Sequence, residues 1–67
     1  MGSITGSFRI ETKKLRHIQG LLGRYNGYFD GNPEIFYENA LVYFEFNDVK
    51  KWNSFARMLN IVEQKYF

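Results

Sequence analysis

The chain of 67 residues contains no cysteine, one histidine and one proline. Without thiols it cannot form a disulfide, and a single histidine does not build a structural zinc site. No apolar run is long enough to span a bilayer, and the N-terminus lacks the apolar core of a secretory signal. These absences predict a cytoplasmic protein with no cofactor, no bound metal and no membrane contact.

The length predicts one small domain over residues 1–67, in which residues 1–6 are flexible or tag-derived. So short a chain buries only about 60% of the surface that its unfolded form exposes. Aromatic residues make up 19% of the sequence, and each of them can bury a large area. We therefore expect an aromatic core, and self-association is a common further support for a domain of this size.

The charges are segregated along the chain. Residues 1–26 carry five cations against one carboxylate, and residues 49–67 carry four cations against one carboxylate. Residues 27–48 carry five carboxylates and neither Lys nor Arg. Such asymmetry can steer a partner or favour self-association. The alternative is that the segregation has no function and only reflects Lys in the two helices and Glu in the hairpin.

The spacing of apolar residues predicts a strand and then a helix in the first half of the chain. Apolar and polar residues alternate in SFRIET, residues 7–12, as they do on a half-buried strand. An apolar stripe of helical spacing follows from Leu15 to Tyr25, with Thr12 as the expected cap. The pair Asn26-Gly27 predicts a left-handed end to this helix.

The second half of the chain predicts a hairpin and a second helix. EIFY and ALVYFEF have the composition of strands, joined by a tight loop at Glu38-Asn39. Asn47 or Asp48 is the expected cap of a helix whose apolar stripe continues from Val49 to Tyr66.

The predicted fold is α+β, a small antiparallel sheet in the order strand-helix-strand-strand-helix with two helices on one face. This is a ferredoxin-like layout lacking the last strand. The missing strand would leave SFRIET as an open edge, and open edges invite pairing with another chain. We therefore expect either edge-to-edge dimerisation or a short strand from SITG, residues 3–6, that fills the gap.

No constellation of residues supports catalysis, and we expect no enzyme. His17 is the only histidine, and no carboxylate lies three or four residues away on its helix to orient it as a base. Asp30, Asn32 and Glu34 alternate like the start of a calcium loop, but the twelfth position is Leu41 instead of the required Glu.

Two glycines define a distinctive face of the first helix. On a helical wheel, Gly20 and Gly23 lie opposite the apolar stripe, with Lys13, Arg16 and Arg24 around them. A smooth basic face of this kind would let a phosphate approach the backbone closely. The alternative is that the helix frays from Gly20 onward, since each glycine costs a helix roughly 1 kcal/mol relative to alanine.

The stretch NALVYFEF, residues 39–46, resembles the longer ribonucleoprotein motif of RNA-recognition-motif domains. Across residues 39–60, the helix that follows the motif is also similar to the second helix of that family. The resemblance implies a ferredoxin-like fold and gives Tyr43 the place of a base-stacking aromatic. Asn39, Ala40 and Leu41 differ from the motif's basic residue, glycine and first aromatic. We interpret the match as fold-level analogy, because this fold hosts many unrelated functions.

Candidates for a protein interface are the outward side chains of the hairpin, Tyr37, Leu41 and Tyr43, and the edge-strand residues Phe8 and Ile10. The leading hypothesis is a small non-enzymatic binding or regulatory protein that acts through protein–protein contact or self-association as a homo-oligomer. Inhibitors of this type occur in phages and plasmids. The alternative is a nucleic-acid-binding module that uses the basic helix face, and a third hypothesis is a small-ligand sponge at an oligomer interface.

Overall fold

The structure, a computed structural model, describes residues 3–61 and 63–67. Within these residues the chain forms two α-helices and a small sheet, with a 3-10 turn at Thr12–Lys14 before the first helix. The elements in chain order are β1 (Ile4–Glu11), α1 (Leu15–Arg24), β2 (Gly27–Phe29), β3 (Glu34–Phe36), β4 (Asn39–Phe46), α2 (Val49–Leu59) and β5 (Gln64–Tyr66).

All the strand pairs are antiparallel, and the order across the sheet is β2-β4-β1-β5. The short strands β2 and β3 both pair with β4, β2 opposite residues 44–46 and β3 opposite residues 39–41. Since β4 pairs along its other side with β1, the two short strands share its outer edge. The predicted class is confirmed: a small antiparallel sheet combined with two helices.

The structure contains two strands that the sequence analysis did not predict, β2 and β5, and β5 supplies the last strand of the ferredoxin-like layout. Strand β5 pairs with β1, with Gly6 opposite Tyr66. The sequence pattern extended the second helix to Tyr66, but α2 ends at Leu59 because Asn60 adopts a left-handed conformation with φ 56°. Val62, part of the expected stripe, lies outside the described residues.

Strand β5 changes the position of the N-terminal residues in the sheet. Strand β1 lies between β4 and β5, so it is not an open edge, and the basis for edge-to-edge pairing through SFRIET is removed. SITG fills no gap, because Ile4, Thr5 and Gly6 begin β1 itself. Met1 and Gly2 lie outside the described residues.

The end of α1 and the start of α2 carry the local signals that the sequence predicts. Helix α1 runs to Arg24, and Asn26, with φ 57°, provides the predicted left-handed stop. Gly20 and Gly23 are therefore helical, and the frayed alternative is not what the structure shows. Helix α2 is capped by Asp48, whose carboxylate accepts a hydrogen bond of 2.8 Å from the backbone N–H of Lys50.

The core is an aromatic cluster between the helices and one face of the sheet. Trp52 of α2 stacks on Phe44 of β4, with ring centroids 4.0 Å apart and an angle of 12° between the planes. Its indole N–H donates a hydrogen bond of 3.2 Å to the hydroxyl of Tyr66 on β5. The other members of the buried cluster are Phe8, Ile18, Leu21, Leu22, Val42, Phe46 and Phe55.

Two glycines in the sheet permit close approaches that a side chain would block. A Cβ at Gly6 would collide with the carbonyl oxygen of Lys65 and meet the Phe44 ring at 3.0 Å. A Cβ at Gly27 would lie 2.5 Å from the ring of Phe46. Thus Gly6 lets β5 approach β1, and Gly27 leaves room for a core ring.

We predict that Gly6→Ala lowers the free energy of unfolding by about 1–3 kcal/mol, because the added methyl forces β5 away from β1. Gly20→Ala and Gly23→Ala are the matched controls, since an added Cβ at either helical position meets nothing within 4 Å. Each control should instead raise the free energy of unfolding by roughly 0.5–1 kcal/mol.

Urea denaturation followed by the fluorescence of Trp52 measures all three variants. Equal stability of Gly6→Ala and the wild type would contradict the close approach of β5 to β1.

Candidate interaction surface

The sheet has one face covered by the helices and one face that no described element covers. Buried residues of β4 alternate with partly exposed ones, so Ala40, Val42, Phe44 and Phe46 face the helices. Paired residues of neighbouring strands lie on the same face, so the register assigns the residues of the other strands to one face or the other. The open face, as we name it, consists of the opposite side chains: Thr5, Ser7, Arg9, Glu11, Tyr28, Glu34, Phe36, Asn39, Leu41, Tyr43, Glu45, Lys65 and Phe67.

Aromatic side chains are concentrated on the open face. Tyr28 and Phe36 are each 50% exposed, and Phe67 is 72% exposed. Leu41 and Tyr43 are partly buried between them. The rings of Tyr43 and Phe67 lie together, with centroids 6.1 Å apart. Apolar side chains clustered in this way exceed the scattered exposure that is normal on a protein surface.

Carboxylates lie beside the two tyrosine hydroxyls of the open face and raise their pKa values. Tyr43 donates to Glu34 Oε1 over 3.4 Å, and the negative charge of Glu34 raises the Tyr43 pKa above its ordinary value of 10.0. A hydrogen bond to Glu45 raises the Tyr28 pKa in the same way. Both hydroxyls therefore stay protonated at neutral pH and remain donors, which orients the rings beside a negative charge.

A shallow groove crosses the open face above β1. Its floor is Ser7, which is only 4% exposed and lies between Tyr43 and Lys65 in the register of the sheet. The groove has a volume of about 440 Å³. Arg9 lines it but pairs with Glu63 over 3.2 Å, so this cation is already partly neutralised.

The tip of the β3-β4 hairpin presents an apolar segment beside the open face. Tyr37 begins the turn with φ 54° and is fully exposed, and Ile35 next to Phe36 is also exposed. A bulky residue with positive φ is an unfavourable conformation. Thr12 holds it in place, because its hydroxyl donates to Tyr37 O over 2.9 Å and its N–H donates to Glu38 O over 2.7 Å. Thr12 thus braces the hairpin instead of capping α1.

The basic residues predicted around the glycines divide into two groups. Arg16 and Arg24 are exposed and have no ion-pair partner among the described residues. Lys13 instead pairs with Glu11 over 3.3 Å, and the hydrogen bond between them holds the Glu11 pKa below its ordinary value. Gly20 and Gly23 lie on the same exposed side of α1, with open space above both.

The structure brings only part of the predicted interface together. Leu41 and Tyr43 lie on the open face, whereas Tyr37 lies in the turn. Phe8 is 1% exposed and pairs with Val42 on the core face, and Ile10 also packs against the core. Both were candidates because β1 was expected at an open edge; as a central strand it has its apolar side under the helices.

Sequence reasoning missed three open-face aromatics: Tyr28, Phe36 and Phe67. The hairpin loop begins at Tyr37, one residue earlier than expected, and a shift of one residue exchanges the faces of a strand. Tyr28 and Phe67 were missed together with β2 and β5, the two strands that the sequence analysis did not predict. Asn60, which readily adopts the left-handed conformation, was the available signal that α2 ends before this segment.

No family model, curated protein or solved structure matches the chain. Within residues 3–61 and 63–67, no helix is long and apolar enough to cross a membrane. In the same ranges no three acidic or histidine side chains are grouped so that they could hold a metal ion.

We predict that Glu45→Gln returns the Tyr28 pKa toward its ordinary value and leaves the Tyr43 pKa unchanged, because Glu45 raises the pKa of Tyr28 and Glu34 raises that of Tyr43. Glu34→Gln should instead return the Tyr43 pKa toward its ordinary value and leave the Tyr28 pKa unchanged. In the wild type these raised pKa values stabilise the fold below pH 10, and that contribution is lost as the pH rises through the folded-state values.

Nuclear magnetic resonance titration of the two tyrosine rings measures both effects. A Tyr28 titration that is identical in the wild type and in Glu45→Gln would show that the carboxylate does not hold this hydroxyl.

Proposed function

We propose that the chain is a small binding protein without catalytic activity, which docks through the open face on another protein or on its own copy. The observation that carries the proposal is the cluster of aromatic side chains set among carboxylates on an uncovered sheet face. Its setting would be the cytoplasm, and its role regulatory, comparable to that of small inhibitor proteins of phages and plasmids.

The chemistry of the open face suits a protein partner. Tyrosine and phenylalanine offer a large contact area and lose little side-chain entropy on binding, and tyrosine is common in binding hot spots. Cross-strand pairing alone would account for only about 0.2–1 kcal/mol per pair of such residues. The half-exposed rings of Tyr28 and Phe36 therefore keep area that a partner can still bury.

The charges of the open face make the binding selective. Glu34 and Glu45 lie beside the tyrosines, and Glu38 lies at the hairpin tip. These carboxylates would attract a partner with basic groups around an apolar surface and would repel a phosphate backbone. This distribution favours a protein over RNA as the partner of Tyr43, although the resemblance of residues 39–46 to a ribonucleoprotein motif gives that residue a stacking role.

We predict that a photoreactive phenylalanine at position 36 forms a covalent adduct with the partner protein upon irradiation. Tyr43→Asp in the same chain should reduce the yield about tenfold or more, because it places an additional charge at the centre of the contact.

Tyr43→Phe is the matched control, since it keeps the ring and removes only the hydroxyl, and it should retain most of the adduct. Circular dichroism verifies that each variant is folded. An adduct whose yield is the same with Asp at position 43 would rule out docking through the open face.

A second candidate function is nucleic-acid binding through the exposed side of α1. The supporting observation is that Arg16 and Arg24 are exposed without ion-pair partners among the described residues, on a helix where Gly20 and Gly23 leave the backbone accessible. Phosphate contacts of this kind would be sequence-independent and sensitive to salt.

If α1 binds nucleic acid, Arg16→Glu combined with Arg24→Glu should abolish the electrophoretic shift of a labelled oligonucleotide. The wild-type shift should also weaken steeply as the salt concentration rises. Gln19→Ala, at an exposed neutral position of the same helix, is the control. A shift that survives the double charge reversal would refute this candidate.

A further inference from the structure

Two surfaces of the molecule carry opposite charge, namely the outer side of the helices and the half of the open face formed by β2, β3 and β4. No carboxylate occurs within α1 or α2, whereas these helices contain five cations: Arg16, Arg24, Lys50, Lys51 and Arg57. We call the outward side of the two helices the helix layer. Glu34 and Glu45 lie on the opposite side of the molecule, on the half of the open face formed by β2, β3 and β4, which contains no Lys or Arg and which we call the acidic half. The cations of the open face, Arg9 and Lys65, lie on β1 and β5.

Ion pairs do not neutralise this separation within the chain. The salt bridges among the described residues are Arg9 with Glu63 and the two lysines of the 3-10 turn with Glu11. None of them involves a helix-layer cation, and none involves Glu34 or Glu45. The helix-layer cations and the carboxylates of Glu34 and Glu45 therefore remain available to a partner.

We propose that the open face of one copy docks on the helix layer of a second copy, so that the molecules associate head to tail. This rests on the proposed function of the open face and identifies its partner. A contact between two acidic halves of the open face would oppose carboxylates, and a contact between two helix layers would oppose cations. The head-to-tail arrangement brings the acidic half of the open face against the helix layer, which is the surface with the most cations.

The helix layer also offers apolar contacts and enough area. Val49 and Met58 are each nearly half exposed on α2, where they can meet the rings of the open face. The molecule measures 37 × 21 × 20 Å. The area of one long side is therefore comparable to the ~800 Å² that each partner contributes to a standard interface.

A head-to-tail contact uses two different surfaces, so it extends into an open chain of molecules unless its rotation closes a ring. Its strength should fall as salt screens the two charged surfaces. In light scattering, the mass of the wild type should therefore rise with protein concentration at low salt and fall toward that of the monomer at high salt.

The decisive experiment mixes two variants that are each defective on one side. Lys50→Glu combined with Arg57→Glu reverses charge on the helix layer, and Tyr43→Asp disrupts the open face. Each variant alone should remain monomeric. The mixture should form a dimer of twice the monomer mass and nothing larger, because only one intact open face and one intact helix layer can meet.

Lys50→Arg combined with Arg57→Lys keeps the charge and should associate like the wild type. Phe36→Asp replaces Tyr43→Asp if that variant does not fold. A wild type that is monomeric at every concentration and salt level, or a mixture that stays monomeric, would overturn the head-to-tail contact. In either case, an adduct of position 36 with a different protein would leave the proposed function intact.

Discussion

The contact of Trp52 with Phe44 and Tyr66 is the interaction on which the rest of the fold depends. The indole stacks on Phe44 of β4, its ring edge meets Tyr66 of β5, and its N–H donates to the Tyr66 hydroxyl. One side chain of α2 therefore joins a central strand to the last strand. A chain this short without disulfides has little other means of fixing its C-terminal residues, because small domains bury a low fraction of their surface.

The same arrangement determines which surface is left for binding. Helices α1 and α2 cover the face of β4 that carries Phe44 and Phe46. Because side chains alternate between the two faces of a strand, Tyr43 and Glu45 lie on the open face. Docking of β5 then brings Phe67 beside Tyr43, next to the groove above β1. An aromatic core on one side and an aromatic, acidic surface on the other both follow from the period-two pattern of β4.

Regular periodicity made the main elements predictable from the sequence. The β4 alternation, the apolar stripe of α1, the Asn26 stop and the Asp48 cap depend on residues close in the chain. The end of α2 did not follow from the same rules, because residues 61–67 continue an apolar spacing that suits a helix. The strand conformation of Gln64–Tyr66 depends on pairing with β1 and on the Trp52–Tyr66 hydrogen bond, which are contacts distant in sequence. The open-face aromatics depended on the exact loop position and on this same pairing.

Nuclear Overhauser contacts around residues 61–67 test this account most directly. The structure predicts cross-strand contacts between Gly6 and Tyr66 and between Phe8 and Gln64, together with a contact between the Tyr66 ring and the Trp52 indole. Sequential helical contacts that continue from Leu59 through Tyr66, without any contact to β1, would contradict it. Strand β1 would then be an open edge, and the open face would lack both its last strand and Phe67.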